Sequence, residues 1–117
     1  MIEAADQLCN KIKSYDPSVD VDRLRRAFLF GMRAHEGQSR ASGEPYFTHP
    51  IAVANLLADM SLDIDTLITA LLHDTVEDCD VSLDALQNSF GSSVCQLVDG
   101  VTKLSRIGLG TYDSSQG

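Results

Sequence analysis

The segment HDTVED, residues 73–78, places four ionisable side chains within six positions, directly after the apolar run LITALL. The apolar run predicts a buried helix. If that helix continues, His73 and Glu77 share one face. Asp74 and Asp78 then share the adjacent face. Buried charge is costly unless it is paired or binds a metal, and a histidine nitrogen beside a carboxylate oxygen suits a divalent transition metal. The segment therefore indicates a metal-dependent hydrolase more than a packing element.

A second histidine, His49, lies beside Pro50 at the start of another predicted helix. Taken alone, a histidine in this position is more often a capping or core residue than a ligand. Together with His73 and Asp74 it would complete a three-ligand set that leaves coordination positions open for water and substrate. The remaining histidine, His35, falls on the inner side of a predicted helix and is interpreted as a core residue.

Glu77 and Asp78 end the predicted helix, where acidic groups oppose the negative end of the helix dipole. The opposition costs about 0.3–1 kcal/mol for each exposed group, and a nearby cation would offset it. General acid–base catalysis is the functional role that such a pair suits. The alternative is an ordinary solvated helix terminus.

The loop QSRASGEPY, residues 38–46, contains side chains that could hold a nucleotide. Arg40 can stack on a base or form paired hydrogen bonds with a phosphate. Ser42 can donate a hydrogen bond, and Gly43 allows close approach of the backbone. Loop composition alone fits an ordinary polar surface loop equally well.

Apolar residues at helical spacing predict six helices joined by short loops, and no strand alternation competes with them. The first helix ends before Asp16, and Pro50 lies in the first turn of the third. The fifth ends near Gly91. The predicted N-cap is Asp20 or Asp22 for the second helix, Thr48 or His49 for the third, Asp63 or Asp65 for the fourth, and Ser82 for the fifth. The last helix is outlined by Val94, Leu97, Val98, Val101 and Leu104.

Composition limits the classes of protein that this chain can represent. Its 117 residues suffice for one domain, and 44% apolar with 22% charged residues is ordinary for a soluble globular protein. The net charge of −8 argues against direct nucleic-acid binding, and no apolar run is long enough for a membrane span. The N-terminus lacks the parts of a signal peptide, so we expect a cytoplasmic protein. The three cysteines, at positions 9, 79 and 95, are interpreted as buried, inert thiols.

The combination of GEPYFTHP, LLHDTVED and FGSSVCQLVDGVTKL resembles the hydrolase domain of the RelA/SpoT enzymes of the bacterial stringent response. The resemblance runs from about Leu24 to Ile107. It implies an all-α, HD-domain-like helical bundle that is truncated before its last helices. We accordingly expect a partial HD-type hydrolase domain at 1–107 and a flexible or truncated tail at 108–117, together forming an N-terminal fragment.

The resemblance also implies an activity and roles for individual residues. RelA/SpoT hydrolase domains use Mn²⁺ to remove the 3′-pyrophosphate of guanosine tetraphosphate and pentaphosphate, giving GDP or GTP plus pyrophosphate. By the match, the metal ligands are His49, His73 and Asp74. The catalytic acidic pair is Glu77 and Asp78, and the guanosine part is held by Arg40 and Ser42.

This sequence departs from the family pattern at two points. Ala41 stands where the family usually has a basic residue, and the family's fourth metal ligand, a later aspartate, has no counterpart before Gly117. Two further functions therefore stay open, namely a catalytically silent regulatory nucleotide-binding domain of a guanosine tetra/pentaphosphate synthetase and an HD phosphohydrolase on another nucleotide. A plain helical interaction module would explain the periodicity but not the motifs. The resemblance further implies C-terminal synthetase and regulatory domains in a longer parent. Missing helices would expose an apolar surface that favours self-association.

Overall fold

The computed structural model describes residues 2–38, 43 and 46–104, without the side chains of Ile2 and Glu77. These residues form six helices and no strand, which confirms the predicted all-α class. The helices are α1 (Ile2–Tyr15), α2 (Val21–Ala34), α3 (Thr48–Asp59), α4 (Ile64–Asp78), α5 (Leu83–Phe90) and α6 (Ser92–Leu104). The predicted tail at 108–117 lies outside the described residues.

Within the described ranges, no helix has both the length and the apolar character that a bilayer crossing requires.

Several helix ends follow from local sequence chemistry, as predicted. The Asp20 carboxylate accepts hydrogen bonds from two backbone N–H groups at the start of α2. The Ser82 hydroxyl accepts a hydrogen bond from one backbone N–H group at the start of α5. Asp63 is the N-cap of α4. Gly91 ends α5 with φ of 97°, a value that glycine adopts without steric cost.

The predicted cap of α3 is wrong by one or two residues. The N-cap is Phe47, and Thr48 and His49 are the first two helical residues. Phe47 is 2% exposed, and its ring packs edge-on against Phe28 with 5.3 Å between the centroids. Because this buried ring anchors the chain, tertiary packing rather than a side-chain cap sets where α3 begins. Pro50 lies in the first turn, as predicted.

Only one of the two apolar stripes of α6 is buried. Val94, Val98 and Thr102 pack inward, whereas Leu97, Val101 and Leu104 are 40%, 38% and 68% exposed. The five apolar positions that outline this helix in the sequence therefore do not all face inward, because Leu97, Val101 and Leu104 lie on the exposed side. Both stripes have helical spacing, so periodicity does not distinguish them.

Helix α4 is the centre of the fold and packs against α2, α3 and α6. Its residues Leu67, Ile68, Leu71 and Leu72 have no solvent exposure. Helices α3 and α4 form a hairpin joined by a short turn. At the open end of this hairpin, Tyr46, just before α3, contacts Asp78 at the end of α4. The fold therefore gathers the start of α3, which carries His49, and the acidic end of α4 at one end of the hairpin.

Two glycines in helices offer a matched test of this packing. A Cβ atom built on Gly31 of α2 would lie 2.4 Å from Cε1 of Phe47, whereas one built on Gly100 of α6 meets nothing within 4 Å. Gly31→Ala is expected to lower the free energy of unfolding by about 1–2 kcal/mol, because overpacking outweighs the gain in helix propensity. Gly100→Ala is expected to raise it by about 0.5–1 kcal/mol. Urea unfolding of both variants measures the difference, and stabilisation by Gly31→Ala would show that the Phe47 ring does not rest on α2.

Candidate active site

The imidazole of His73 lies between two oxygen atoms near the end of α4. Its Nδ1 is 3.2 Å from the carbonyl oxygen of Ala70, and its Nε2 is 3.0 Å from Oδ1 of Asp74. Which ring nitrogen donates depends on the tautomer, and a neutral imidazole donates to only one of these two oxygens, both of which accept.

The Asp74 carboxylate is held in its charged form. Its hydrogen bond with His73 outweighs the opposing effect of burial and keeps the pKa of Asp74 below the ordinary value. A second, longer contact of 3.4 Å comes from the hydroxyl of Tyr46. Asp74 is therefore available as an anionic oxygen ligand at neutral pH.

Tyr46 contacts both aspartates at the end of α4, which the sequence did not indicate. Its hydroxyl lies 3.1 Å from Oδ2 of Asp78 and 3.4 Å from Oδ2 of Asp74. Partial burial, followed by the charges of the two carboxylates, raises the pKa of Tyr46 to about 12. The hydroxyl therefore stays protonated at neutral pH, and its one hydrogen is shared as a hydrogen bond between the two carboxylates, with the shorter contact to Asp78.

His35 lies behind Tyr46, and its interpretation as a core histidine is confirmed because the side chain is buried. Its ring stacks on the Tyr46 ring with 4.7 Å between centroids. Its Nδ1 lies 3.0 Å from Oε1 of Gln38 and 3.3 Å from Sγ of Cys79. Burial raises the pKa of the Cys79 thiol, which favours the unreactive form that the sequence predicted. Cys79 is nevertheless only partly buried, like Cys95.

Of the remaining predicted site residues, the structure describes His49 and Asp78 in full and Glu77 without its side chain. His49 has an exposed side chain in the first turn of α3. Glu77 belongs to α4, but its side chain lies outside the described part of the structure, as do Arg40 and Ser42. Asp78 is the last residue of α4 and is exposed, so the helix does continue through the acidic segment, as predicted.

The His73–Asp74 pair fits two neighbouring positions around a divalent cation. Two donors at about 2.1 Å from an octahedral metal lie about 3 Å apart, close to the observed 3.0 Å. The contact of His73 with a backbone carbonyl is also the usual support of a metal-binding histidine. Among the residues that the structure describes, however, no group of three or more His, Cys, Asp or Glu side chains is placed to hold a metal.

A pocket of about 520 Å³ has none of these cluster residues in its lining. A smaller apolar pocket of about 210 Å³ includes His73 and residues of α3, α4 and α6. The lining of the larger pocket comprises Arg26, Leu29, Phe30, Arg33, Ala34 and Val81.

Known proteins resemble this chain over most of its length. It is 50% identical over 102 residues to the guanosine-3′,5′-bis(diphosphate) 3′-pyrophosphohydrolase of Vibrio cholerae, covering 87% of this chain and 14% of that protein. It is 49% identical over 107 residues to the bifunctional (p)ppGpp synthase/hydrolase SpoT of Escherichia coli, covering 92% and 15%. It is 52% identical over 99 residues to a probable GTP pyrophosphokinase of Mycobacterium leprae, covering 85% and 13%.

These relatives are much longer than this chain, which spans 13–15% of their length. Residues 27–116 match the HD domain family. That match includes His49 and the His73–Asp74 pair, and it extends over more than half of the chain. The chain therefore belongs to the HD-domain family, and its relatives confirm the predicted resemblance to the RelA/SpoT enzymes.

Proposed function

We propose that this domain removes the 3′-pyrophosphate of guanosine tetraphosphate and pentaphosphate in a Mn²⁺-dependent reaction of the stringent response in the cytoplasm. The observation that carries the proposal is the His73–Asp74 contact at the end of α4. It occurs in a chain that is 49–50% identical to proteins named as hydrolases of this nucleotide class. The products are GDP or GTP plus pyrophosphate.

In this proposal His49, His73 and Asp74 hold the Mn²⁺ ion. The ion supplies Lewis acidity and offsets the charge of the phosphate groups, which an acidic protein of net charge −8 would otherwise repel. The Ala70 carbonyl orients the His73 ring, so that Nε2 faces the carboxylate of Asp74.

The other predicted residues act on the water and the nucleotide. Glu77 and Asp78 orient a water molecule toward the phosphorus atom bonded to the 3′ oxygen and accept its proton. The water oxygen forms a bond to that phosphorus as the bond between the phosphorus and the 3′ oxygen breaks, and the 3′ oxygen takes up a proton. Arg40 and Ser42 hold the guanosine part of the substrate.

A second candidate function is a catalytically silent domain that binds guanosine tetra/pentaphosphate and regulates a synthetase. Two observations favour it. One relative is named a probable GTP pyrophosphokinase. Ala41, in place of a basic residue in the loop, agrees with a weaker grip on the nucleotide.

An assay of pyrophosphate release separates these functions. The chain is incubated with Mn²⁺ and guanosine tetraphosphate, and the nucleotide products are resolved by chromatography. Formation of GDP and pyrophosphate is the expected result. Binding of guanosine tetraphosphate without turnover would favour the regulatory domain. Equal hydrolysis of nucleotides that lack a 3′-pyrophosphate would favour an HD phosphohydrolase on another nucleotide.

We also propose two kinds of partner. The first is the C-terminal synthetase and regulatory domains of a longer parent, in line with the greater length of the relatives. The second is another copy of this chain, because α6 exposes Leu97, Val101 and Leu104 on one face. Light scattering across a concentration series tests the second proposal, and a monomer at all concentrations would contradict it. Neither nucleic acid nor a membrane is expected as a partner.

A further inference from the structure

We propose that Tyr46 is a positioning residue that holds the carboxylates of Asp74 and Asp78 in one arrangement. The inference rests on the proposed function, because it assigns Asp74 to the metal and Asp78 to the attacking water. It adds a residue that links these two roles and that touches neither the metal nor the substrate in the proposed reaction.

The hydroxyl of Tyr46 provides the link between the two carboxylates. It lies 3.1 Å from Oδ2 of Asp78 and 3.4 Å from Oδ2 of Asp74. Asp74 and Asp78 lie one turn apart on the same face of α4, so their like charges repel. A shared donor between them reduces that repulsion and fixes the direction of both side chains.

The Tyr46 ring is itself fixed in place. It stacks on the buried ring of His35, with an angle of 21° between the two planes. Nδ1 of His35 bonds with Oε1 of Gln38, whose Nε2 donates to the Asp78 carbonyl oxygen. The side chain that positions the carboxylates is therefore backed by residues from α2, the following loop and the end of α4.

Tyr46 also closes the loop that contains Arg40 and Ser42. Its backbone N–H donates to the carbonyl oxygen of Gln38 at 3.1 Å, which joins the two ends of the loop. The same residue thus joins Gln38 to the start of α3 through its backbone and contacts both carboxylates through its hydroxyl.

Tyr46→Phe removes the hydroxyl and keeps the stacked ring, so it isolates the positioning role. We expect kcat for pyrophosphate release to fall about 10–100-fold, the usual effect of losing a residue that orients metal ligands. KM should change by less than about 3-fold, because in this account Tyr46 does not touch the substrate. The matched control is Tyr15→Phe, which loses a hydroxyl bonded to the Leu62 carbonyl oxygen and leaves this cluster intact.

A second measurement needs neither metal nor substrate. Tyr46→Phe, Asp78→Asn and the double variant are unfolded in urea. If the hydroxyl bonds to Asp78, Asp78→Asn should shift the urea midpoint of the Tyr46→Phe variant by less than half of the shift that it causes in the parent chain. Tyr15→Phe combined with Asp78→Asn should give additive shifts.

The outcomes separate this inference from the proposed function. Additive shifts for Tyr46 and Asp78 would overturn the inference, as would a Tyr46→Phe variant with unchanged kcat. A change in KM alone would indicate substrate contact and would also overturn it. If the parent chain releases no pyrophosphate, the proposed function fails, and the unfolding cycle alone decides whether Tyr46 holds the carboxylates.

Discussion

His73→Ala is expected to lower the rate of pyrophosphate release from guanosine tetraphosphate by about 10³-fold or more. The substitution removes the nitrogen that faces the Asp74 carboxylate at 3.0 Å, and with it one of the proposed Mn²⁺ ligands. Asp74→Asn is expected to have a similar effect, because it removes the negative charge but keeps the shape of the side chain. Initial rates at saturating Mn²⁺ measure both losses.

The matched control for this experiment is Asp84→Asn, which removes an exposed carboxylate in the first turn of α5. It should leave the rate within about 2-fold of the parent, because a surface substitution away from the site rarely perturbs the fold. If either His73→Ala or Asp74→Asn retained the parent rate, the end of α4 would not be the catalytic site. Circular dichroism of each variant shows whether the helices remain folded.

Phe47→Ala is expected to lower the free energy of unfolding by about 3–5 kcal/mol, the usual cost of removing a buried aromatic ring. Phe47 lies against Phe28, and its ring fills the space above Gly31 that a side chain would otherwise occupy. A loss of this size is a large share of the about 5–15 kcal/mol that stabilises a typical domain. Urea or thermal unfolding measures it directly.

Leu56→Ala is the control on the same helix, because Leu56 is 63% exposed. It should change the free energy of unfolding by no more than about 0.5 kcal/mol. Equal effects of Phe47→Ala and Leu56→Ala would contradict the position of Phe47 in the core and the proposed start of α3.

The sequence predicted those features that depend on neighbouring residues. Asp20 and Ser82 cap helices because their side chains reach N–H groups two or three positions ahead, and Gly91 ends α5 through its own backbone freedom. The apolar run before His73 indicated a buried helix, and the structure contains that helix as α4, Ile64–Asp78. The contact of His73 with Asp74 joins adjacent residues, so it was also within reach of sequence reasoning.

Features that depend on distant residues were missed. The start of α3 is set by Phe47 packing on α2, and no local signal marks that contact. The inner face of α6 was ambiguous because two apolar stripes have the same spacing, and the buried position at its end is Thr102. Tyr46 lies 28 residues from Asp74 in sequence, and only the α3–α4 hairpin brings its hydroxyl to the carboxylates.

The predicted roles of Arg40, Ser42 and Glu77 stay predictions. Arg40, Ser42 and the side chain of Glu77 lie outside the part of the chain that the structure describes. The membership of His49 in the metal site also stays a prediction, since its side chain is exposed at the start of α3.

Titration of Mn²⁺ into the purified chain by calorimetry, with His73→Ala as the control, tests the metal site that underlies the whole account. Saturable binding to one site in the parent chain, and its loss in His73→Ala, is the result that the account predicts. Absence of binding, or equal binding by the parent and the variant, would contradict a metal site built on His49, His73 and Asp74.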